Sequence, residues 1–249
     1  SYYSGSELAA DPLPSAREIE ILKPYADKLP PDILTKPLVM PKTKGDGRDR
    51  INLREADRLL KEAGYMVVNG KRINPQTKAP VVFEILISDS QLIRTLGDYI
   101  DNLSNLGIEA KVKLVEPAQY FSRTQDFDFD TTTMAVGQSI SPGNEQREFW
   151  GSKVSKAKGS KNYAGIADPV VDELVEYLID APSRQELVMR TKALDRVLMA
   201  GSYMVPFYYS GINRLALWSD LESTGKFPKY AFDLYAFWSK NKDEQTKTP

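Results

Sequence analysis

Residues 81–115 read VVFEILISDSQLIRTLGDYIDNLSNLGIEAKVKLV, and this stretch decides the fold. Val81–Ile87 is a strand of mostly apolar, β-rich composition. From Ser88 to Gly107 the period changes: Leu92, Leu96, Ile100, Leu103 and Leu106 place one apolar stripe along a helix. Gly107 is the expected C-terminal cap. Ile108–Val115 then alternates, with Ile108, Ala110, Val112 and Leu114 on one side. Strand, helix and strand make a βαβ unit, a parallel pair joined by a right-handed crossover.

Upstream, Asn52 is read as an N-cap with Glu55 at the third helical position. Leu53, Ala56, Leu59, Leu60 and Ala63 follow at helical spacing, and Gly64 ends the helix. Tyr65–Val68 is a strand, joined to Val81–Ile87 by a polar loop over 70–78 with a turn at Asn74-Pro75-Gln76-Thr77. Residues 1–50 are Pro-rich and irregular. Ser15 and Glu18 have capping-box spacing for a short helix over 15–27. Pro30, Pro31 and Pro37 then break the chain, and Gly45-Asp46-Gly47 marks an exposed turn.

Downstream, Pro117–Thr124 is a short helix and Phe127–Val136 the next strand, buried at Met134-Ala135-Val136. A long Gly/Ser/Lys-rich stretch over 137–167 holds Trp150, Asn162 and Tyr163. A loop of that length inside a compact domain is usually functional. Asp168-Pro169 is an N-cap followed by Pro at the first helical position, opening a helix with Val171, Leu174, Val175 and Leu178. Ser183 and Glu186 form a second capping box, before a helix that carries Leu187, Leu194, Val197 and Leu198 and stops at Gly201. Val205–Tyr209 and Arg214–Trp218 read as strands, and 240–249 as a polar, frayed end. The order is mixed α/β with helices following strands, neither a bundle nor an all-β sandwich.

Composition removes several function classes. The 249 residues contain no His and no Cys. Zinc sites built on those ligands, Cys nucleophiles and His-based triads are therefore excluded. A net charge of −1 offers no basic stripe for nucleic acid or anionic lipid. No apolar run reaches the roughly 20 residues needed to span a bilayer. The chain opens Ser1-Tyr2-Tyr3-Ser4 without the marks of a signal peptide, and an internal start is the expected reason.

Three segments carry a resemblance. Residues 52–65 (NLREADRLLKEAGY), followed by Pro80-Val81-Val82-Phe83-Glu84-Ile85, resemble a helix and strand of the extracellular solute-binding proteins of ABC transporters, family 5, the oligopeptide, dipeptide and nickel type. Asn162-Tyr163-Ala164-Gly165-Ile166, with Asp168-Pro169-Val170-Val171-Asp172-Glu173-Leu174, resembles that family's loop-to-helix segment. Val205-Pro206-Phe207-Tyr208-Tyr209 resembles its strand near the C-terminus. Residues 4–10 and Phe149-Trp150-Gly151-Ser152 further resemble the Yej-type subgroup, associated with longer peptides and peptide-nucleotide antibiotics.

The resemblance implies an α/β fold: the second lobe of a type II-like periplasmic binding protein, a mixed sheet with flanking helices, here an incomplete two-lobe clamshell. Residues 1–210 would form the C-terminal lobe without its first part. Residues 211–249, with Trp218, Phe227, Tyr230, Phe232, Tyr235, Phe237 and Trp238, would return to an absent first lobe and risk an exposed apolar patch. The implied function is peptide capture for an ABC importer in the periplasm of a Gram-negative bacterium. The ABC permease subunits would be the membrane partner, with no cofactor, no metal and no catalytic residue.

A cleft surface is expected at the end of the strand over 127–136 and in the loop after it. Its candidates are Gly137, Gln138, Ser139, Ser141, Arg147, Trp150, Asn162, Tyr163 and Gly165. Trp150 and Tyr163 offer rigid contact area, Asn162 a partner for a peptide amide, and Arg147 one for a carboxylate or phosphate. The plain alternatives stay open: Trp150 packing the loop, Asn162 stabilising it, Arg147 a solvated charge. Many oligopeptide members carry an acid after this strand for the ligand's α-amino group. Residues 138–143 have none and Glu145 comes late. Two other classes remain: a carboxylate-dependent hydrolase on Asp126, Asp128 and Asp130, which read as one charged strand face, and a standalone interaction module.

Overall fold

The computed structural model describes residues 1–38, 40–43, 45, 47, 49–208, 212, 214–223 and 237–239. Helix α1 (Ala16–Leu22) runs into a 3-10 turn at Lys23–Tyr25. The expected capping box starts it: Glu18 N–H donates to Ser15 Oγ, and Ser15 N–H to Glu18 Oε2. Helix α2 (Arg50–Glu62) begins earlier than expected, because the cap is Asp49 rather than Asn52. The Asp49 carboxylate accepts from the N–H groups of Ile51 and Asn52, two donors that the helix itself leaves unpaired.

Strands β1 (Met66–Val68) and β2 (Lys71–Ile73) form an antiparallel hairpin. The reading of 70–78 as loop is corrected here. Asn69 and Gly70 both have positive φ (50° and 77°), the geometry of a two-residue turn that carries the chain straight back into a strand. Arg72 of β2 is buried and fastens the hairpin. It donates to the carbonyls of Leu106 and Tyr65 and to the Asp57 carboxylate of α2.

The βαβ unit is as expected. Strand β3 (Val82–Ile87), helix α3 (Gln91–Asn105) and strand β4 (Glu109–Leu114) follow one another, with β3 and β4 parallel from Val82↔Glu109 to Ile87↔Leu114. Helix α4 (Pro117–Gln125) then leads to β5 (Thr131–Thr132), parallel to β3 on its other side. The sheet order is β4-β3-β5. Strand β5 has two residues, where 127–136 was expected. Arg123 explains the late start: it donates to the carbonyl and carboxylate of Asp128, and Phe127 turns through φ 55°, so the chain leaves α4 in a tight turn.

Phe83, Ile85 and Ile87 of β3 face α3 through Leu92, Leu96, Tyr99 and Ile100. Glu84 points the other way and meets Arg123 of α4 at 3.1 Å. The two helices therefore cover opposite faces, as two right-handed crossovers leaving in opposite directions require.

A second core is helical. It joins α1 to α5 (Gln146–Trp150), which leads into a 3-10 turn at Ser152–Val154, and to α6 (Pro169–Ile179) and α7 (Arg184–Ala200). Asp168 caps α6 through Val170 N–H, and Ser183 caps α7 through Glu186 N–H. Trp150, Val171, Leu174, Leu178, Leu194 and Leu198 fill the centre. Inside it lie two charged anchors. Glu18 and Arg196 pair at 2.9 Å with no exposure on either side chain. Buried Asp195 accepts from Ser1 Oγ, Tyr2 N–H and Ala10 N–H, which ties residues 1–10 to α7.

The two cores meet through Gly159 N–H to the Gln125 carbonyl, Lys158 to Asp126, and the rings of Phe129 and Tyr163 at 6.1 Å. Residues 205–208 and 214–218 are not strands, contrary to expectation. Strand pairing there begins with β6 (Leu221–Ser223) against β7 (Phe237–Ser239). Tyr209, the domain division at 210, Asp46 of the expected turn and most of the tail lie outside the described residues. Trp218 is 82% exposed.

Candidate functional site

Loops leaving β3 and β4 depart to opposite faces of the sheet, and between them the carboxyl edge opens. A depression of about 470 Å³ lies there, lined by Ser88, Ser90, Val115, Glu116 and Gln119 among others. Such a switch point is where open α/β sheets bind ligands. Sequence reasoning placed the site only beyond β5 and missed these residues. The signal was present in the crossover reading: a central β3 with neighbours reached by helices on both faces puts the crevice beside residues 88 and 116.

The chain after β5 leads into the loop over 137–141. Gly137, Ser139 and Ser141 are exposed, and Gln138 is half-buried. Ser141 N–H donates to Ser139 Oγ at 3.0 Å. Arg184, at the first turn of α7, donates to the Ile140 carbonyl and pairs with Glu7 at 2.6 Å. It clamps the loop to the N-terminal segment, a role with no local mark in the sequence. Behind the loop, Gln146 Nε2 donates to Gln138 Oε1 at 2.7 Å.

The remaining candidates fall elsewhere. Trp150 is fully buried: it donates through Nε1 to Gln146 Oε1 at 2.8 Å and stands edge-on to Tyr2 at 5.0 Å. Asn162 is equally enclosed. Its Nδ2 donates to the carbonyls of Gly151 and Ile166, and its Oδ1 accepts from Ile166 N–H, so it is a loop clamp with both ends used. Arg147 forms an exposed two-pronged pair with Glu176 of α6. Tyr163 rests on Phe129, before β5, at the amino end of the sheet. Gly165 is exposed at φ 63° in the turn that Asn162 closes. Four of the nine, Gly137, Gln138, Ser139 and Ser141, thus lie on the loop that follows β5.

Polar groups around this loop are unevenly satisfied. Among the described residues, the buried side-chain atoms without a partner are Gln138 Nε2, Ser152 Oγ and Ser160 Oγ. All three fall within 138–160, the stretch singled out for binding, and native chains rarely leave such atoms unpaired without a reason. Tyr3 donates to Gln146 Oε1, and burial followed by the Asp195 and Glu145 charges pushes its phenol well above the ordinary range. Tyr2 is pushed up to about 12, by burial first and by the Asp195 charge second. Burial works to raise Glu145, but the Gly143 N–H and the Gln146 amide outweigh it and hold the carboxyl low.

Asp126, Asp128 and Asp130 are not a strand face. Asp126 pairs with Lys158, Asp128 with Arg123, and Asp130 accepts from Glu84 N–H. Among the described residues, no group of three or more Asp and Glu is placed to hold a metal ion, and no helix is long and apolar enough to cross a membrane.

No family model matches the chain. Protein y4wM of Sinorhizobium fredii is 41% identical over 242 residues, 97% of this chain and 36% of its own length. The probable peptide-binding protein YejA of Agrobacterium fabrum is 42% identical over 240 residues, 96% of this chain and 39% of its own length. This chain is similar along nearly its whole length to proteins of the YejA type. It spans well under half the length of those curated relatives, and the likeness bears out the resemblance carried by the three motifs. Among solved structures, the oligopeptide-binding protein AppA of Bacillus subtilis, in complex with a nonapeptide, aligns with a TM-score of 0.60 at 16% identity. The alignment covers 97% of this chain and 48% of AppA, and shows the fold: mixed α/β with flanking helices, matching part of AppA.

Proposed function

We propose that this chain forms one wall of a peptide-capturing cleft in the substrate-binding component of an ABC importer, acting in the periplasm. The likeness to the probable peptide-binding protein YejA, along nearly the whole chain, carries this reading. The open carboxyl edge supports it, with its depression beside Ser88 and Glu116 and the exposed Gly137, Ser139 and Ser141. In a protein of the relatives' length, a second lobe would supply the facing wall, and hinge closure would bury the ligand and present a closed shape to the permease subunits. Main-chain hydrogen bonding in the manner of strand addition would tolerate many peptide sequences.

Bond breaking is no part of the proposal. The three aspartates at 126–130 are each committed to a different partner, and glycoside hydrolysis would need two carboxylates facing one substrate. Calorimetry of the full-length protein with a pool of synthetic tri- to nonapeptides tests the reading. Heat of binding and a raised Tm are expected, about 2.7 kcal/mol of added stability at a hundredfold excess over Kd. Absence of both with every peptide tried overturns it.

A further inference from the structure

We propose that Gln138 presents a fixed amide N–H to a carbonyl oxygen of the captured peptide, and that Gln146 behind it is the positioning residue that sets which way this amide points. The inference rests on the peptide-capture reading and names the chemistry that one element of the site reads.

A glutamine amide has two ends of similar shape and opposite hydrogen-bonding character. Gln146 has no exposure, and its Oε1 receives the Tyr3 hydroxyl at 2.6 Å and Trp150 Nε1–H at 2.8 Å. An indole N–H only donates, so the carbonyl end of Gln146 must face Trp150 and its NH2 must face away. That NH2 donates to Gln138 Oε1 at 2.7 Å and to Glu145 Oε1 at 3.2 Å. An amide NH2 does not accept, so Gln138 must turn its carbonyl inward. The direction set at Trp150 is passed through Gln146 to Gln138, and the end left over is the donor Nε2.

Gln138 Nε2 has no partner among the described residues. An unmatched buried donor is destabilising, and an arriving acceptor relieves it. The surroundings suit such an arrival. Gln138 lies between exposed Gly137 and Ser139, and a side chain added at Gly137 would meet nothing within 4 Å. A peptide strand docking at this edge would reach the amide by a small displacement of the half-buried side chain. The group on offer is a donor, so it selects a carbonyl, which every peptide repeats, and not an ammonium. This agrees with the absence of any acid over 137–143. Glu145, the nearest acid, already accepts from Gly143 N–H and Gln146.

The test compares Gln138→Glu and Gln138→Met with wild type in the full-length protein. Binding of the same pool of synthetic tri- to nonapeptides is titrated at about pH 7.5 and about pH 5, near the carboxyl range. Each Kd is taken relative to wild type at the same pH, which removes the titration of the peptides and of Glu145. At the higher pH both variants should bind about tenfold weaker or worse, the glutamate because two acceptors then face each other. At the lower pH the protonated glutamic acid regains an O–H donor in the same place, and its deficit should shrink to about threefold, while the methionine variant stays weak. Gln146→Glu should follow the same pH pattern, since only its protonated form can donate to Gln138. Wild-type-like affinity of Gln138→Met, or a Gln138→Glu deficit that ignores pH, overturns the inference and leaves peptide capture standing. A wild-type protein that binds no peptide overturns both.

Discussion

Arg196 is enclosed by the chain and fully spoken for. It donates to Glu18 and to the carbonyls of Asp11 and Pro12. Removing one member of a buried pair leaves the other charged and unmatched. Arg196→Met should therefore cost roughly 3–5 kcal/mol in urea unfolding, and replacing Glu18 by Leu in the same chain should recover a large part of it. Nothing in the sequence marked this pair, because its members are 178 positions apart. Local signals were readable: Ser15 with Glu18 and Asp168 before Pro169 cap as expected, and Ser183 caps through Glu186 N–H, with the Glu186 carboxylate of the expected box turned to Arg17 and Arg190. Asn52 was misjudged because Asp49 also sits at capping distance, and only the fold decides which carbonyl or carboxylate reaches the free N–H groups. Trp150 and Asn162 looked equally fit for ligand or interior. Their burial follows from Tyr2, Gln146 and Ile166 closing over them, contacts that no spacing rule predicts.

At the scale of elements, α3 and β4 were legible because each keeps one clean period over its length, and β3 because it is a short apolar, β-rich run. The hairpin over 66–73 was missed although Asn69-Gly70 is a strong turn signal, and the flanking polar residues of β2 hid the strand. Strand β5 was overcalled because its apolar pattern runs on through Val136, while its pairing with β3 stops at Thr132. Gly107 shows how tightly the helix-to-strand turn is built. Its φ is 79°, and a Cβ there would stand 2.9 Å from the Arg72 backbone nitrogen. Gly107→Ala should lose about 1–2 kcal/mol from the left-handed backbone alone, and more from the contact, read as a lowered Tm.

Among the described residues the molecule has two buried cores, one on the sheet and one helical. Phe129 against Tyr163 is the ring contact that bridges them. Trp150 lies in the helical core, and the sheet core contains no tryptophan, so fluorescence and far-UV circular dichroism weigh the two differently. In Phe129→Ala the two signals should cease to unfold together, with the fluorescence and dichroism midpoints separating in urea. A single shared transition would mean that the remaining contacts suffice to couple the cores. Gly137, Gln138, Ser139 and Ser141 share one loop after β5 because strand order could be read from sequence. Tyr163 was assigned to the same place because sequence order cannot say which end of a strand a returning loop will meet.

Ser1 reaches Asp195 across 194 positions. Synthesis runs from the N-terminal side, so residues 1–10 have no seat on Asp195 until α7 has emerged. The sheet unit, closed entirely within residues 82–132, needs no such wait. During translation Tyr2 and Tyr3 must therefore wait unshielded until α7 is made, and the helical core assembles after the sheet unit.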